Sequence, residues 1–155
     1  MSILKEADFY YGSVLSTLIN KGICPVLVES GNDRQIYDFT TDKKDFLLFL
    51  KYRSKPIDTK TPDYKSWQFC FSIDDTKELK QFISSDKYLC VGLVCGDEKL
   101  NRSEYAVLNK NDIGKLFAEG KNTLTISRKK DEKAFRISIG GGRGKALQVP
   151  SNRLY

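Results

Sequence analysis

Histidine is absent from this 155-residue chain, and methionine and tryptophan occur once each. The first absence excludes the most chemistry. Without imidazole there is no Ser-His or Cys-His nucleophile pair, no histidine general acid or base, and no histidine-ligated metal. Any reaction must draw on carboxylates, lysine, tyrosine or an oxygen-ligated metal such as magnesium. Long apolar runs are also lacking. The longest, Phe46 to Leu50, has five residues, where a membrane span needs about 20. Met1 to Glu6 has no basic stretch leading into an apolar one, so no signal peptide is expected. Together these absences predict a cytoplasmic protein with no membrane partner.

Cysteine is sparse. Cys24, Cys70, Cys90 and Cys95 each lie among apolar neighbours, include no CxxC pair and lack histidine company. That excludes the usual zinc spacings and predicts four buried free thiols behaving as small hydrophobes.

What is present in quantity is aromatic and charged. Nine Phe and eight Tyr supply large buried surfaces within a composition that is 40% hydrophobic and 30% charged, ordinary for a folded domain. The length predicts a single domain over 1–155. The net charge is +6, and it is unevenly placed. Residues 121–155 hold nine bases and two acids, whereas residues 1–120 hold seventeen bases and eighteen acids. A basic end of this kind fits a polyanionic partner, nucleic acid first; it fits an acidic protein, or simply a solvated surface, as well.

Along the chain, Ala7, Tyr11, Val14, Leu15 and Leu18 form a helical stripe that Lys21-Gly22 should close. Strands follow at 23–28, with Pro25 demanding a strand start or an edge, and at 35–41. Phe46 to Arg53 reads as the central strand, covered on both faces at its start. Residues 54–66 form a polar loop, and Trp67 to Ile73 alternates as a strand. Asp74 or Asp75 should cap a short helix with Leu79, Phe82 and Ile83 facing inward. Strands at 88–95 and 104–108 precede a helix capped by Asn109 or Asn111 and closed by Gly120. Two more strands, 123–128 and 134–139, flank the turn 129–133, and a last extended piece runs from Ala146 to Tyr155. Runs of strands inside a helical frame predict an α/β (α+β) fold with a mixed central β-sheet flanked by helices.

Three stretches of residues 8–53 carry a resemblance: Leu18-Ile19-Asn20-Lys21-Gly22-Ile23 at a helix end, Ile36-Tyr37-Asp38-Phe39 on a strand, and Phe49-Leu50-Lys51 at the end of the next. In this order they resemble the PD-(D/E)XK restriction-endonuclease-like superfamily, particularly its resolvase-like members. The likeness extends over about residues 3–95 and implies a nuclease-like core with extra C-terminal strands. It also implies a magnesium-dependent phosphodiesterase site, with Asp38 as metal ligand and Lys51 positioning or deprotonating the attacking water. Two acidic positions of the family are filled differently here, by Phe49 and by Tyr11. Glu29, Asp8 or Asp45 would have to supply the second carboxylate, and Glu29 is taken with Asp38 and Lys51 as the candidate catalytic set. Bland alternatives stand beside this: Asp38 as a simple ion-pair partner, and Lys51 with Arg53 as the solvated end of a strand.

Gly140 to Lys145 does not match a phosphate-binding GxxxxGK[ST] loop, because Ala146 follows Lys145 and no helix follows. It reads as a flexible joint or as a loop tracking a nucleic-acid backbone through Arg143 and Lys145. Arg128, Lys129 and Lys130 form a second basic cluster, and Arg53 a further cation at the central strand's end. Three functions follow as expectations: a nucleic-acid-binding protein on a nuclease-like scaffold with little or no activity, an active magnesium-dependent nuclease, or an interaction module with a basic surface.

Overall fold

The computed structural model describes residues 3–57, 61–139 and 142–155, apart from the side chain of Arg143. Gly140, Gly141, the Arg143 side chain and positions 58–60 of the polar loop therefore lie outside the described residues.

The chain opens with helix α1 (Glu6–Asn20), which buries Ala7, Tyr10, Tyr11, Val14 and Leu18 on one face. Gly22, at φ +80°, turns the chain out of the helix in the left-handed conformation that glycine adopts without Cβ strain. Three antiparallel strands follow, β1 (Cys24–Glu29), β2 (Gln35–Thr40) and β3 (Asp45–Arg53). β4 (Tyr64–Cys70) leads into helix α2 (Ile73–Ser84), which returns the chain to β5 (Tyr88–Cys95), parallel to β3. β6 (Glu104–Asn109) pairs antiparallel with β5 and runs into helix α3 (Lys110–Ala118). β7 (Thr123–Lys129), β8 (Ala134–Ile137) and β9 (Leu147–Pro150) complete the order.

The expected mixed sheet is present as five strands in the order β1-β2-β3-β5-β6. The remaining strands do not extend it. They form a second, antiparallel sheet in the order β4-β7-β8-β9, into which β4 is drawn out of sequence.

β3 shows why it is central. Its alternation splits one apolar run between two cores: Leu47 and Phe49 enter one cluster, Phe46, Leu48 and Leu50 the other. The first cluster also takes Trp67 and Phe69 of β4, Leu79 of α2, Leu116 of α3 and Ile126 of β7, so α2, α3 and the second sheet cover that face. The other cluster takes Tyr11, Val14 and Leu18, so α1 covers the opposite face.

Several sequence expectations are corrected in detail. Asn109 does cap α3, but α2 is capped by Ser72, whose hydroxyl accepts from the Asp75 amide while Asp75 accepts from the Ser72 amide. Of the four free cysteines only Cys90 and Cys95 are buried; Cys24 and Cys70 are exposed. Apolar neighbours misled there. Phe69 and Phe71 are both buried, and a period of two then turns Cys70 to the other side. Among the described residues no helix is long and apolar enough to cross a membrane.

Candidate functional site

At the C-terminal end of β3 the two sheets part and leave a cleft of about 790 Å³. Its walls are the β1–β2 turn at 29–34, the end of β3 at 51–54, and the connection from β4 into α2 at 69–75, with Glu6 of α1 at the margin.

Lys51 is nearly buried there. Its Nζ lies 2.9 Å from Oδ2 of Asp75, the third residue of α2. The other Asp75 oxygen accepts from Nη1 of Arg34 at 2.8 Å. Arg34 then grips Glu29 in a fork, Nε to Oε2 at 2.6 Å and Nη2 to Oε1 at 3.0 Å. The sequence Lys51–Asp75–Arg34–Glu29 is thus a chain of alternating charge. Aromatic rings back it: Phe71 lies 5.5 Å from the Lys51 ammonium, and Phe49 lies 5.5 Å from the Arg34 guanidinium.

The electrostatics follow from these contacts. Burial pushes the Asp75 carboxyl up. The Lys51 hydrogen bond, the Ser72 amide, the Lys51 charge and Arg34 together outweigh it, so its pKa ends below the usual aspartate value. The Glu29 hydrogen bond leads in raising Arg34 further above its already high value.

Three tyrosines brace the cleft from α1 and β3. Tyr11 donates to the Asn32 carbonyl at 2.9 Å and Tyr10 to that of Ser54 at 3.3 Å, tying α1 to both walls. Both rings pack on Tyr52, stacked at 5.0 Å for Tyr10 and edge-on at 5.2 Å for Tyr11. Burial raises the Tyr11 phenol well above its ordinary value, which keeps it a donor. At the position where the resemblance calls for a helix glutamate, this chain has a buried brace.

The candidate catalytic residues are only partly brought together. Lys51 and Glu29 share the network, joined through Asp75 and Arg34. Asp38 is elsewhere. It stands opposite Leu47 in the β2–β3 register, four residues from Lys51 and so about 13 Å away along the strand. Its ion-pair partner is Lys87, at 3.6 Å. Phe49, where a carboxylate would complete the motif, is fully buried. Among the described residues no group of three or more cysteine or carboxylate side chains is placed to hold a metal ion, at Asp38 or elsewhere.

The candidate basic residues also divide. Arg53 is exposed and lines the cleft. Arg128 is half-buried, paired with Glu104 and bonded to the carbonyls of Lys129 and Glu132, so it braces the β7–β8 hairpin. Lys129 and Lys130 are exposed at that hairpin, and Lys145 is exposed in the turn before β9. The Arg143 side chain lies outside the described residues.

Sequence reading missed Arg34 altogether and took Asp75 only as a possible helix cap. Asp75 is both a cap partner and a counterion. Arg34 has no motif. Its importance emerges only from the pairing of Gln35 with Leu50, which sets Arg34 beside Lys51 at the next rung.

Comparison with protein-family models, with curated proteins and with solved structures yields no match in any of the three.

Proposed function

We propose that this protein binds nucleic acid on a nuclease-like scaffold and does not cleave it by a metal-dependent route. The observation that carries this reading is the Arg34 bridge. A metal-dependent phosphodiesterase gathers carboxylates around a divalent cation beside its lysine. Here the carboxylate on Lys51, Asp75, also accepts from Arg34, whose guanidinium grips Glu29 in turn, so both carboxylates of the network already have a cation. Bidentate arginine is a good stand-in for a metal in holding carboxylates, but it offers no open position for a phosphate oxygen or a water.

The element order supports the scaffold part of the reading. A helix, three antiparallel strands and then, after the intervening β4, a helix and a strand parallel to the third fit the order implied by the resemblance. The binding part is supported by Lys129, Lys130, Lys133 and Lys145, all exposed on the second sheet's hairpin and the approach to β9. Flexible, exposed lysines suit phosphates, which position a chain without reading its sequence.

The test is titration of labelled single- and double-stranded DNA and RNA at increasing salt, followed by incubation with magnesium or manganese. If four phosphates are contacted, affinity falls roughly 100-fold between about 50 and 200 mM salt, and the substrate stays intact with either metal. Cleavage abolished by Lys51→Ala would restore the nuclease reading. Absence of binding at low salt, with recovery of an acidic protein that nuclease treatment does not release, would replace both with the interaction module.

A further inference from the structure

The second sheet covers the core with one face only. Trp67, Phe69, Ile126, Phe135 and Val149 point inward, into the cluster that Leu79 of α2 and Leu116 of α3 share. The period of two turns their strand neighbours outward. The three described helices all lie elsewhere, α2 and α3 on the inner side and α1 on the far face of the first sheet. Pairing fixes the outward rows. Ser66, Ser127, Arg136 and Gln148 form one row across all four strands, and Gln68 pairs with Thr125 in the next outward row.

Charge on this face has one sign. No outward position of the four strands is a carboxylate, although the chain holds 20 acids. Lys129 ends β7 on this side, with Lys130 and Lys133 exposed in the turn beyond it. β9 runs toward that same turn, with Pro150 opposite Ala134, so Lys145 before its start lies at the other end of the face. Of the turn's acids, Glu132 is held by Arg136 at 3.2 Å and by the Lys129 amide at 2.7 Å. Asp131 and Asp63, both exposed, stand at the hairpin end and not in the rows. Among the described residues the Gln68 and Gln148 amides and the Thr125 hydroxyl have no hydrogen-bond partner, and both glutamines are exposed.

We propose that a single strand of nucleic acid lies across this outward face, its bases against Gln68, Thr125 and Gln148 and its phosphates on the lysines at the two ends. The inference rests on the nucleic-acid reading above and adds where the strand lies and which form it takes. Width selects the form. Four strands about 4.8 Å apart span roughly 14 Å, too broad to enter a major groove about 12 Å wide, which admits a two-stranded ribbon at most. A primary amide offers a donor beside an acceptor, the pattern of a base edge, and unpaired strands leave those edges open. An acidic protein segment would use the lysines and leave the uncharged rows without a role. Neither row carries an aromatic ring for a base to stack on, so affinity is modest and strongly salt-dependent.

Anisotropy titration of the full chain with a labelled oligonucleotide, single-stranded and as its duplex, at low salt, tests this; ribo- and deoxyribo-forms are run in parallel. With at least one of them the single strand should bind tighter than the duplex by about 10-fold or more, equivalent to one or two net hydrogen bonds. Gln68→Glu and Gln148→Glu should each weaken it by about 5-fold or more through the carboxylate set beside phosphates, with far-UV circular dichroism unchanged. Gln81→Glu, the same change on the exposed side of α2, should stay within about 2-fold. Binding that is equal for duplex and single strand, or indifferent to both glutamine changes, or displaced as readily by polyglutamate, overturns the proposal and leaves the nucleic-acid reading standing in the first two cases. Absence of binding to every oligonucleotide overturns both.

Discussion

Asp75 holds Lys51 with one carboxylate oxygen at 2.9 Å and Arg34 with the other at 2.8 Å, with its side chain only 7% exposed. One carboxylate thus satisfies two cations that the chain brings from 24 and 41 residues away. Removing it is the costliest change at this site. Asp75→Ala leaves the nearly buried Lys51 without its counterion and Arg34 with Glu29 alone, and should destabilise the fold by about 3–5 kcal/mol. Lys51→Met keeps the apolar stem and leaves Asp75 with Arg34 and the Ser72 amide, so its cost should be about 1.5–3 kcal/mol. Urea unfolding of the two variants checks the order. Equal costs would mean that Arg34 does not depend on Asp75.

The same residue sets an acid limit. Its folded-state pKa is lowered, so the unfolded chain takes up the proton first as pH falls. The stabilisation is complete above the ordinary aspartate value, about 3.9, and is lost as pH falls through the lower folded value. Asp75→Asn removes this contribution. Its stability should be lower than wild type at neutral pH, and its profile flatter below about pH 4. Unfolding midpoints collected in small pH steps decide it; parallel acid limbs for the two proteins would refute the assignment.

Gly96, just after β5, is bonded to Arg53 of the cleft wall. Its amide donates to the Arg53 carbonyl at 2.7 Å, and its own carbonyl accepts from the Trp67 indole at 2.8 Å. A methyl group there would strike the Arg53 and Ser54 carbonyls, which are backbone and cannot swing aside. Gly96→Ala should therefore cost about 1–3 kcal/mol. Because Trp67 is the sole tryptophan and fully buried, its emission reports the change. A red shift is expected, and an unaltered spectrum with unaltered stability would sink the argument.

The parts of the fold that follow from local pattern were legible. Phe46 to Leu50 is apolar at every position, which signals cover on both faces, and the structure places that strand between two cores. The stripe on α1 and the Asn109 cap are equally local. What depends on pairing was not legible. Nothing in Trp67–Phe69 says whether β4 joins the first sheet or β7. Asp38 illustrates the point for the site. Its strand and face were readable, but its distance from Lys51 depends on which residues face each other across β2 and β3. Asp75 was hidden by its second role, because a capping aspartate looks the same whether or not it also holds a lysine.

The hairpin lysines carry the last prediction. Arg128 and Arg136 lie alongside Glu104 and Glu132, so reversing either would disturb the fold along with any binding. Lys129 and Lys130 are exposed, and their reversal to glutamate should leave the unfolding free energy within about 0.5 kcal/mol of wild type. If both contact phosphates, replacing them with alanine should reduce the slope of log affinity against log salt by about 2. The loss should be nearly uniform across sequences, since phosphate contacts do not read bases. Anisotropy titrations with two unrelated oligonucleotides measure both quantities. An unchanged salt slope would move the binding surface away from this hairpin and leave Lys145 and Arg53 as the cations to test.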